Sequence, residues 1–85
     1  MGASIKVELP IPNNSKFLSK YKSIGDLKSN YKGLLFVKYI YLDPEDNKLK
    51  GANPPDFLPL VPNAYLTIAG SIDDIIQFSS DLSTI

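Results

Sequence analysis

Apolar and polar residues alternate along the first part of the chain. In the segment 4–11 every second residue from Ile5 onward is apolar, and Lys6 and Glu8 fill positions between them. Alternation with a period of two predicts a strand with one buried face. Pro10 suits an edge strand or the end of a strand, because it has no backbone N–H to donate.

A second pattern covers residues 34–42, which read L-L-F-V-K-Y-I-Y-L. Apolar side chains fall on both faces of this segment, and Lys38 is its one charged residue. Two apolar faces predict a central strand covered on both sides or nearly so, with Tyr39 and Tyr41 in or beside the core. A turn over 43–47, a short returning strand over 48–50 and a further strand over 65–69 follow from the same rules.

The segment 16–31 allows two interpretations. In the first, a single helix begins after Ser15, although Gly25 weakens it and two lysines fall on its apolar face. In the second, residues 16–22 form a strand, and Ser23 caps a short helix over Ile24–Tyr31. We favour the second interpretation, and the sequence alone leaves the choice open.

The last segment predicts an amphipathic helix. Ser71 is a suitable N-cap, and Asp74 three residues later makes an acidic variant of the capping box. The apolar stripe of this helix consists of Ile72, Ile75, Ile76, Phe78, Leu82 and Ile85. The stripe either packs on the domain's own sheet or docks a protein partner or a second copy. In the docking alternative the contact residues are Ile75, Phe78 and Leu82.

These elements together predict an α+β fold. The segment 51–62 holds four of the seven prolines, which favours an irregular excursion over a long helix. We expect a single domain over 1–85, with a body over 1–70 and the amphipathic helix over 71–85. Its sheet is predicted to be mixed, with four to five strands around a short central helix. Eighty-five residues suffice for one such domain and not for two.

The composition excludes several kinds of chemistry. The chain has no Cys and no His, so a disulfide framework, a structural zinc site, a Cys nucleophile and a His-dependent triad are ruled out. The acidic turn of Asp43, Glu45 and Asp46 does not match a calcium loop, because Lys48 and Pro54 stand where Gly and Glu are needed. We therefore predict no catalytic residues, no metal, no cofactor and no enzymatic activity.

The sequence also bears on location. No apolar run approaches the roughly 18 residues that a membrane span requires. The N-terminus lacks the apolar stretch of a signal peptide. These features predict an intracellular, cytoplasmic protein that does not associate with membranes.

The net charge is zero, but the charges are segregated along the chain. Residues 1–42 carry seven lysines against two acidic residues, and residues 43–85 carry two lysines against seven acidic residues. Opposed basic and acidic faces steer and orient protein association. The absence of Arg and a pI of about 6.1 argue against nucleic acid as a partner.

The order and spacing of the elements up to Gly70 resemble the ubiquitin-like β-grasp. Ser23–Lys28 is similar to the start of its central helix, and Tyr65–Ile68 to its last strand. Within that fold, Tyr41–Leu49 (Y-L-D-P-E-D-N-K-L) resembles the acidic motif of Phox/Bem-type scaffold domains. Asn47 and Pro54-Pro55 depart from that motif. The resemblance implies front-to-back pairing of a first-strand lysine with an acidic loop.

Two functions of different classes follow. The first is a non-enzymatic protein-interaction module that associates with a partner or with itself. Its contacts would be Lys6 on the basic side and Asp43, Glu45 and Asp46 on the acidic side, or the C-terminal helix, or both. The alternative is a small accessory or inhibitor protein of viral or mobile-element type that binds a host macromolecule. Self-affinity discriminates between them, since the second need not associate with itself.

Overall fold

The chain folds into an α+β domain, as predicted. The computed structural model describes residues 4–43 and 45–84. Over those residues the elements are β1 (Ile5–Pro10), α1 (Phe17–Lys20), α2 (Ile24–Asn30), β2 (Leu35–Asp43), β3 (Lys48–Ala52), β4 (Tyr65–Gly70) and α3 (Ile72–Leu82). The three helices pack against one face of the sheet, where their apolar side chains join those of the strands in one core.

The four strands of the described residues form one sheet in the order β1-β4-β2-β3. All three neighbouring pairs are antiparallel, whereas the sequence predicts a mixed sheet. The predicted strand over 16–22 is absent from this sheet, and its residues are helical at Phe17–Lys20. In this strand order β1 and β3 are the two edges of the sheet. The position of β1 agrees with the expectation that Pro10 marks an edge strand or a strand end.

The register defines which side chains face the helices. Leu66 and Ile68 of β4 are fully buried. Each pairs with one residue of β1 and one of β2, so their partners point to the same side of the sheet. Leu9 and Tyr39 are the partners of Leu66; Val7 and Phe36 are those of Ile68.

β2 contains an irregularity that the sequence pattern does not reveal. Its register against β4 shifts between Phe36 and Lys38. Strict alternation would place Phe36 and Tyr39 on opposite faces, but both are buried beside the helices. A bulge adds one residue at Val37, so a strict period of two does not assign the faces correctly beyond Phe36. After the bulge, Ile40 and Leu42 point away from the helices.

Neither interpretation of residues 16–31 is fully correct. The favoured one is right about Ser23, whose hydroxyl accepts a hydrogen bond from the Asp26 N–H at 3.4 Å and caps α2. It is wrong about the strand over 16–22, because the Tyr21 N–H donates to the Phe17 carbonyl at 2.9 Å and closes a helical turn. A strand and a helical turn both bring Phe17 and Tyr21 to one side, so their spacing does not separate the two structures.

The C-terminal helix α3 belongs to the core. Ser71 accepts a hydrogen bond from the Asp74 N–H at 3.2 Å, as its N-cap position predicts. Ile75, Phe78 and Leu82 are buried among the domain's own side chains. The alternative in which the stripe packs on the domain's own sheet is therefore the one found. Ile72 and Ile76 are exposed on the outer side of α3, and Ile85 lies outside the described residues.

Ser15 holds the end of α3. Its hydroxyl is buried, donates to the Leu82 carbonyl at 2.6 Å and accepts from the Phe17 N–H at 3.2 Å. The Lys16 N–H donates to the Thr84 carbonyl at 2.9 Å. Carbonyls at a helix C-terminus have no partner within the helix, so these two bonds satisfy groups that would otherwise be left unpaired.

We expect Ser15→Ala to lower the free energy of unfolding by about 1–2 kcal/mol, because it leaves the Leu82 carbonyl without its buried donor. Urea denaturation measures the change. Ser19→Ala is the matched control, because the Ser19 hydroxyl bonds to the Lys16 carbonyl at an exposed position and its loss should cost less than about 0.5 kcal/mol. Equal losses for the two variants would contradict the structural role of Ser15.

Candidate interaction surface

The side of the sheet that faces away from the helices is a single surface, which we call the open face. The register assigns it Lys6, Glu8 and Pro10 of β1, Tyr65, Thr67 and Ala69 of β4, Leu35, Lys38, Ile40 and Leu42 of β2, and Leu49 and Gly51 of β3. Cross-strand partners form rows on this face: Glu8, Thr67 and Lys38 share one row. Tyr65, Ile40 and Gly51 share the next, followed by Leu42 and Leu49.

Large apolar side chains lie in water on the open face. The exposed fraction is 66% for Leu35, 52% for Leu42, 71% for Leu49 and 46% for Tyr65. An antiparallel sheet with one solvated face normally presents polar residues there. Apolar side chains grouped on one surface and bordered by polar ones are typical of a protein-interaction site. Leu42, Leu49 and Tyr65, with the half-buried Ile40, occupy two neighbouring rows.

A groove adjoins this apolar group at the end of the sheet. Leu42, Asn47, Val61, Pro62 and Asn63 line a volume of about 560 Å³. The two asparagines have positive φ angles, 57° at Asn47 and 64° at Asn63, in the left-handed region that Asn tolerates better than most residues. The backbone on one side of the groove is fixed, because the Asn63 N–H donates to the Ile11 carbonyl at 2.9 Å. This hydrogen bond holds the Asn63 side of the groove in place.

The acidic residues that the sequence singles out lie together on the β2–β3 hairpin. The Lys50 ammonium contacts the Asp43 carboxylate at 2.8 Å and the Asp46 carboxylate at 3.1 Å. The Glu45 N–H donates to the other Asp43 oxygen at 2.9 Å. Glu45 is exposed, and its carboxylate makes no ion pair within the described residues. Lys50 neutralises part of the acidic charge and leaves the Glu45 carboxylate available.

Lys50 sets the ionisation of Asp43. Its hydrogen bond, with that from the Glu45 N–H, holds the pKa of the Asp43 carboxyl below its ordinary value. Because the folded-state pKa lies below the unfolded one, the stabilisation is present above the unfolded pKa of about 3.9. It is lost as the pH falls through the lower pKa of the folded state.

We expect Lys50→Gln to raise the pKa of Asp43 toward the ordinary aspartate value, because the strongest donor to its carboxylate is removed. An NMR titration of the side-chain carboxyl carbon follows this change directly. Lys48→Gln removes a neighbouring charge that makes no ion pair with Asp43 in the described structure, so it should change the titration less. A pKa of Asp43 that is the same in both variants would show that Lys50 does not control it.

The other predicted contact residues are placed differently. Lys6 lies exposed on β1, at the opposite edge of the sheet from the hairpin, and makes no ion pair with any described residue. It does not meet Asp43, Glu45 or Asp46 within one copy of the chain. The prediction that Ile75, Phe78 and Leu82 contact a partner is wrong for the folded domain. Their side chains are buried in its core.

Sequence reasoning missed Lys38 and Tyr65 and the groove beside Leu42. The signal was present in the two apolar faces of residues 34–42, which predict a strand covered on both sides. In the described residues only one of those faces is covered by helices. A face that is apolar but left uncovered within the domain is itself an indication of a contact with another molecule.

The described residues offer neither a metal site nor a membrane-spanning helix. Over 4–43 and 45–84, no group of three or more acidic side chains is arranged to hold a metal ion. No helix among these residues has the length and apolar character needed to cross a membrane.

No protein-family model matches the chain, and a search of curated proteins found no significant match.

Proposed function

We propose that this domain is a protein-interaction module whose docking surface is the open face of the sheet. One observation carries the proposal. On the face opposite the helices, the exposed fraction is 52% for Leu42, 71% for Leu49 and 46% for Tyr65. Burial of apolar area is the main favourable term in protein association. A surface of this kind beside a preformed groove supports binding to another protein rather than a purely structural role.

The charges around the apolar group support a protein partner. The open face carries two lysines, Lys6 and Lys38, and one glutamate, Glu8. It is therefore not strongly charged in either sense. The hairpin residues Asp43 and Glu45 lie on the other side of the sheet, where both line a cavity with Tyr41. Nucleic acid requires a positive surface along the phosphate backbone, and a face with two lysines and one glutamate does not provide one.

Charge-led association from end to end is a second candidate. Lys6 and the hairpin lie on opposite edges of the sheet, so one copy has room for a neighbour at each. Two of the three hairpin carboxylates, however, already contact Lys50. Exposed ion pairs also contribute little, typically below about 1 kcal/mol. The open face therefore carries the proposal, and the charges of Lys6, Glu8 and Lys38 on it add orientation.

The test compares protein capture in cells of the natural source. Tagged wild-type chain is isolated beside the double variant Leu42→Lys/Leu49→Lys, which places two charges on the open face. The matched control is Ile72→Lys/Ile76→Lys, which makes the same change at two exposed isoleucines of α3. We expect the first double variant to lose bound protein, including other copies of the chain, and the control to retain it. Identical capture by all three would refute the open face as the docking surface.

A further inference from the structure

The groove beside Leu42 lies where the sheet divides. Pairing of β4 with β2 ends at Tyr65 and Ile40. In the same register Asn63 would lie opposite Leu42, but its left-handed φ of 64° turns the chain away from β2. The Asn63 N–H donates instead to the Ile11 carbonyl at 2.9 Å. β2 therefore continues beyond its pairing with β4 and has a strand on its β3 side only.

The backbone N–H and C=O of Leu42 point into this groove. In an antiparallel strand the peptide groups of successive residues point to opposite sides. The Ala64 carbonyl accepts from the Ile11 N–H at 2.8 Å and so points toward β1. The groups of the next residue, Tyr65, therefore point toward its partner Ile40 in β2. Leu42 is two residues beyond Ile40 and directs its own groups to the same side of β2 as Ile40 does.

The hairpin gives the same orientation for Leu42. The Asp43 carbonyl accepts from the Asn47 N–H at 2.8 Å, so the groups of Asp43 point toward β3 and those of Leu42 point away from it. Within residues 4–43 and 45–84, no backbone group on the far side of the groove bonds to Leu42. Leu42 thus presents one donor and one acceptor at an open stretch of sheet edge.

The lining of the groove suits an uncharged occupant. Leu42, Val61 and Pro62 supply apolar contacts, and the two asparagines, Asn47 and Asn63, are exposed beside them. A carboxamide carries both a donor and an acceptor, as a peptide group does. The volume of about 560 Å³ is within the range of clefts that hold a small ligand. A charged side chain would lose hydration here without gaining an opposite charge.

An extended peptide matches this combination of groups. A peptide that adds to a sheet edge gains main-chain hydrogen bonds, and pockets beside the edge receive its alternate side chains. The main-chain bonds would form with Leu42, and one apolar side chain would lie against Val61 and Pro62. Leu42 also belongs to the apolar rows of the open face, so the groove is continuous with that surface.

We propose that the groove beside Leu42 binds an extended, uncharged segment of a partner protein. The segment pairs its backbone with the N–H and carbonyl of Leu42, places an apolar side chain against Val61 and Pro62, and bonds to the carboxamides of Asn47 and Asn63. This inference rests on the proposed function and names the kind of partner that the open face takes.

An NMR titration of the isotope-labelled chain with a capped peptide of alternating threonine and valine tests the inference. We expect the backbone amide signal of Leu42 and the side-chain amide signals of Asn47 and Asn63 to shift with one common dissociation constant. The same peptide with every backbone nitrogen methylated keeps its side chains but has no backbone donor, so it should not bind. Signals of Leu42 that stay unchanged at millimolar concentration of the unmethylated peptide would overturn the inference.

Charged peptides test the chemistry of the occupant. Replacement of the central valine of the peptide by lysine or by glutamate should raise the dissociation constant about tenfold or more, because the groove offers neither charge a partner. Binding of either charged peptide as tight as that of the neutral one would overturn the assignment of an uncharged segment.

Glycine variants test the two asparagines. Asn47→Gly and Asn63→Gly keep the positive φ, which Gly adopts readily, and remove only the carboxamide. Each should raise the dissociation constant about two- to tenfold, as expected for the loss of one hydrogen bond. Asn13→Gly makes the same change at an exposed asparagine that does not line the groove and should leave the constant unchanged. Equal effects at all three positions would contradict contact of the groove carboxamides with the peptide.

The inference and the proposed function can fail separately. If the neutral peptide leaves Leu42 unchanged while Leu42→Lys/Leu49→Lys still loses captured proteins in cells, the inference fails and the proposed function stands, with a partner that contacts the apolar rows alone. If that double variant captures the same proteins as the wild type, the proposed function fails, and the inference that rests on it fails too.

Discussion

Phe78→Ala should lower the free energy of unfolding by about 3–5 kcal/mol, since it removes a fully buried aromatic side chain and leaves a cavity. Phe78 of α3 contacts three other rings. Its ring centroid lies 5.5 Å from that of Phe17, 4.9 Å from that of Tyr31 and 5.8 Å from that of Phe36, all in edge-to-face geometry. Such pairs add to the stabilisation from burial. The substitution therefore weakens the contacts of α3 with the rest of the core at once.

The loss is large for a domain of this size. Stability of roughly 0.05–0.15 kcal/mol per residue implies a total of about 4–13 kcal/mol for 85 residues. Phe78→Leu is the second variant, because it preserves apolar volume and should remain folded if the alanine variant does not. Ile76→Ala is the matched control on the same helix. Its side chain is 60% exposed, so the change should stay within about 0.5 kcal/mol.

Thermal and urea denaturation measure these changes. If α3 were a surplus element that docks a partner, Phe78→Ala would leave the stability of the isolated chain almost unchanged. That result would restore the sequence-based alternative in which this stripe is an interaction surface.

Tyr39→Phe is expected to lower the free energy of unfolding by about 2–4 kcal/mol, because it leaves two backbone groups without their partner. The Tyr39 hydroxyl donates to the Pro59 carbonyl at 3.0 Å and accepts from the Val61 N–H at 2.9 Å. Its side chain is fully buried, and burial raises the pKa of its hydroxyl above the ordinary value. One phenol thus attaches the proline-rich segment to the sheet.

Hydrogen exchange of the Val61 amide reports this attachment independently of global stability. We expect faster exchange in Tyr39→Phe, since the amide loses its acceptor. Tyr41→Phe is the control. The Tyr41 ring stacks on that of Tyr39 with centroids 5.1 Å apart, but its hydroxyl makes no hydrogen bond with the described residues. Tyr41→Phe leaves both rings in place, so an equally large loss of stability there would show that the Tyr39 hydrogen bonds are not the cause.

Tyr39 also connects the core to the proposed surface. The segment that it holds leads directly to Pro62 and Asn63, which line the groove. Release of Val61 in Tyr39→Phe is therefore expected to weaken binding at the open face as well as stability.

Local patterns predicted much of this fold. Period-two alternation located β1 and β4, and a continuous apolar run located β2, because side-chain direction in a strand depends on position alone. Ser23 and Ser71 marked the starts of α2 and α3, since a cap uses groups only three residues apart. The predicted turn over 43–47 likewise placed the carboxylates of the hairpin in one local group.

The sequence by itself thus determined the class of fold, most of its elements and the absence of Cys and His chemistry. Tertiary structure decided the bulge at Val37, the all-antiparallel order, and the burial of Ile75, Phe78 and Leu82. It also left Leu42 and Tyr65 on an uncovered face and separated Lys6 from the acidic hairpin. These features depend on contacts between segments far apart in the chain. Whether an apolar side chain is buried depends on which element covers it, and local periodicity carries no information about that partner.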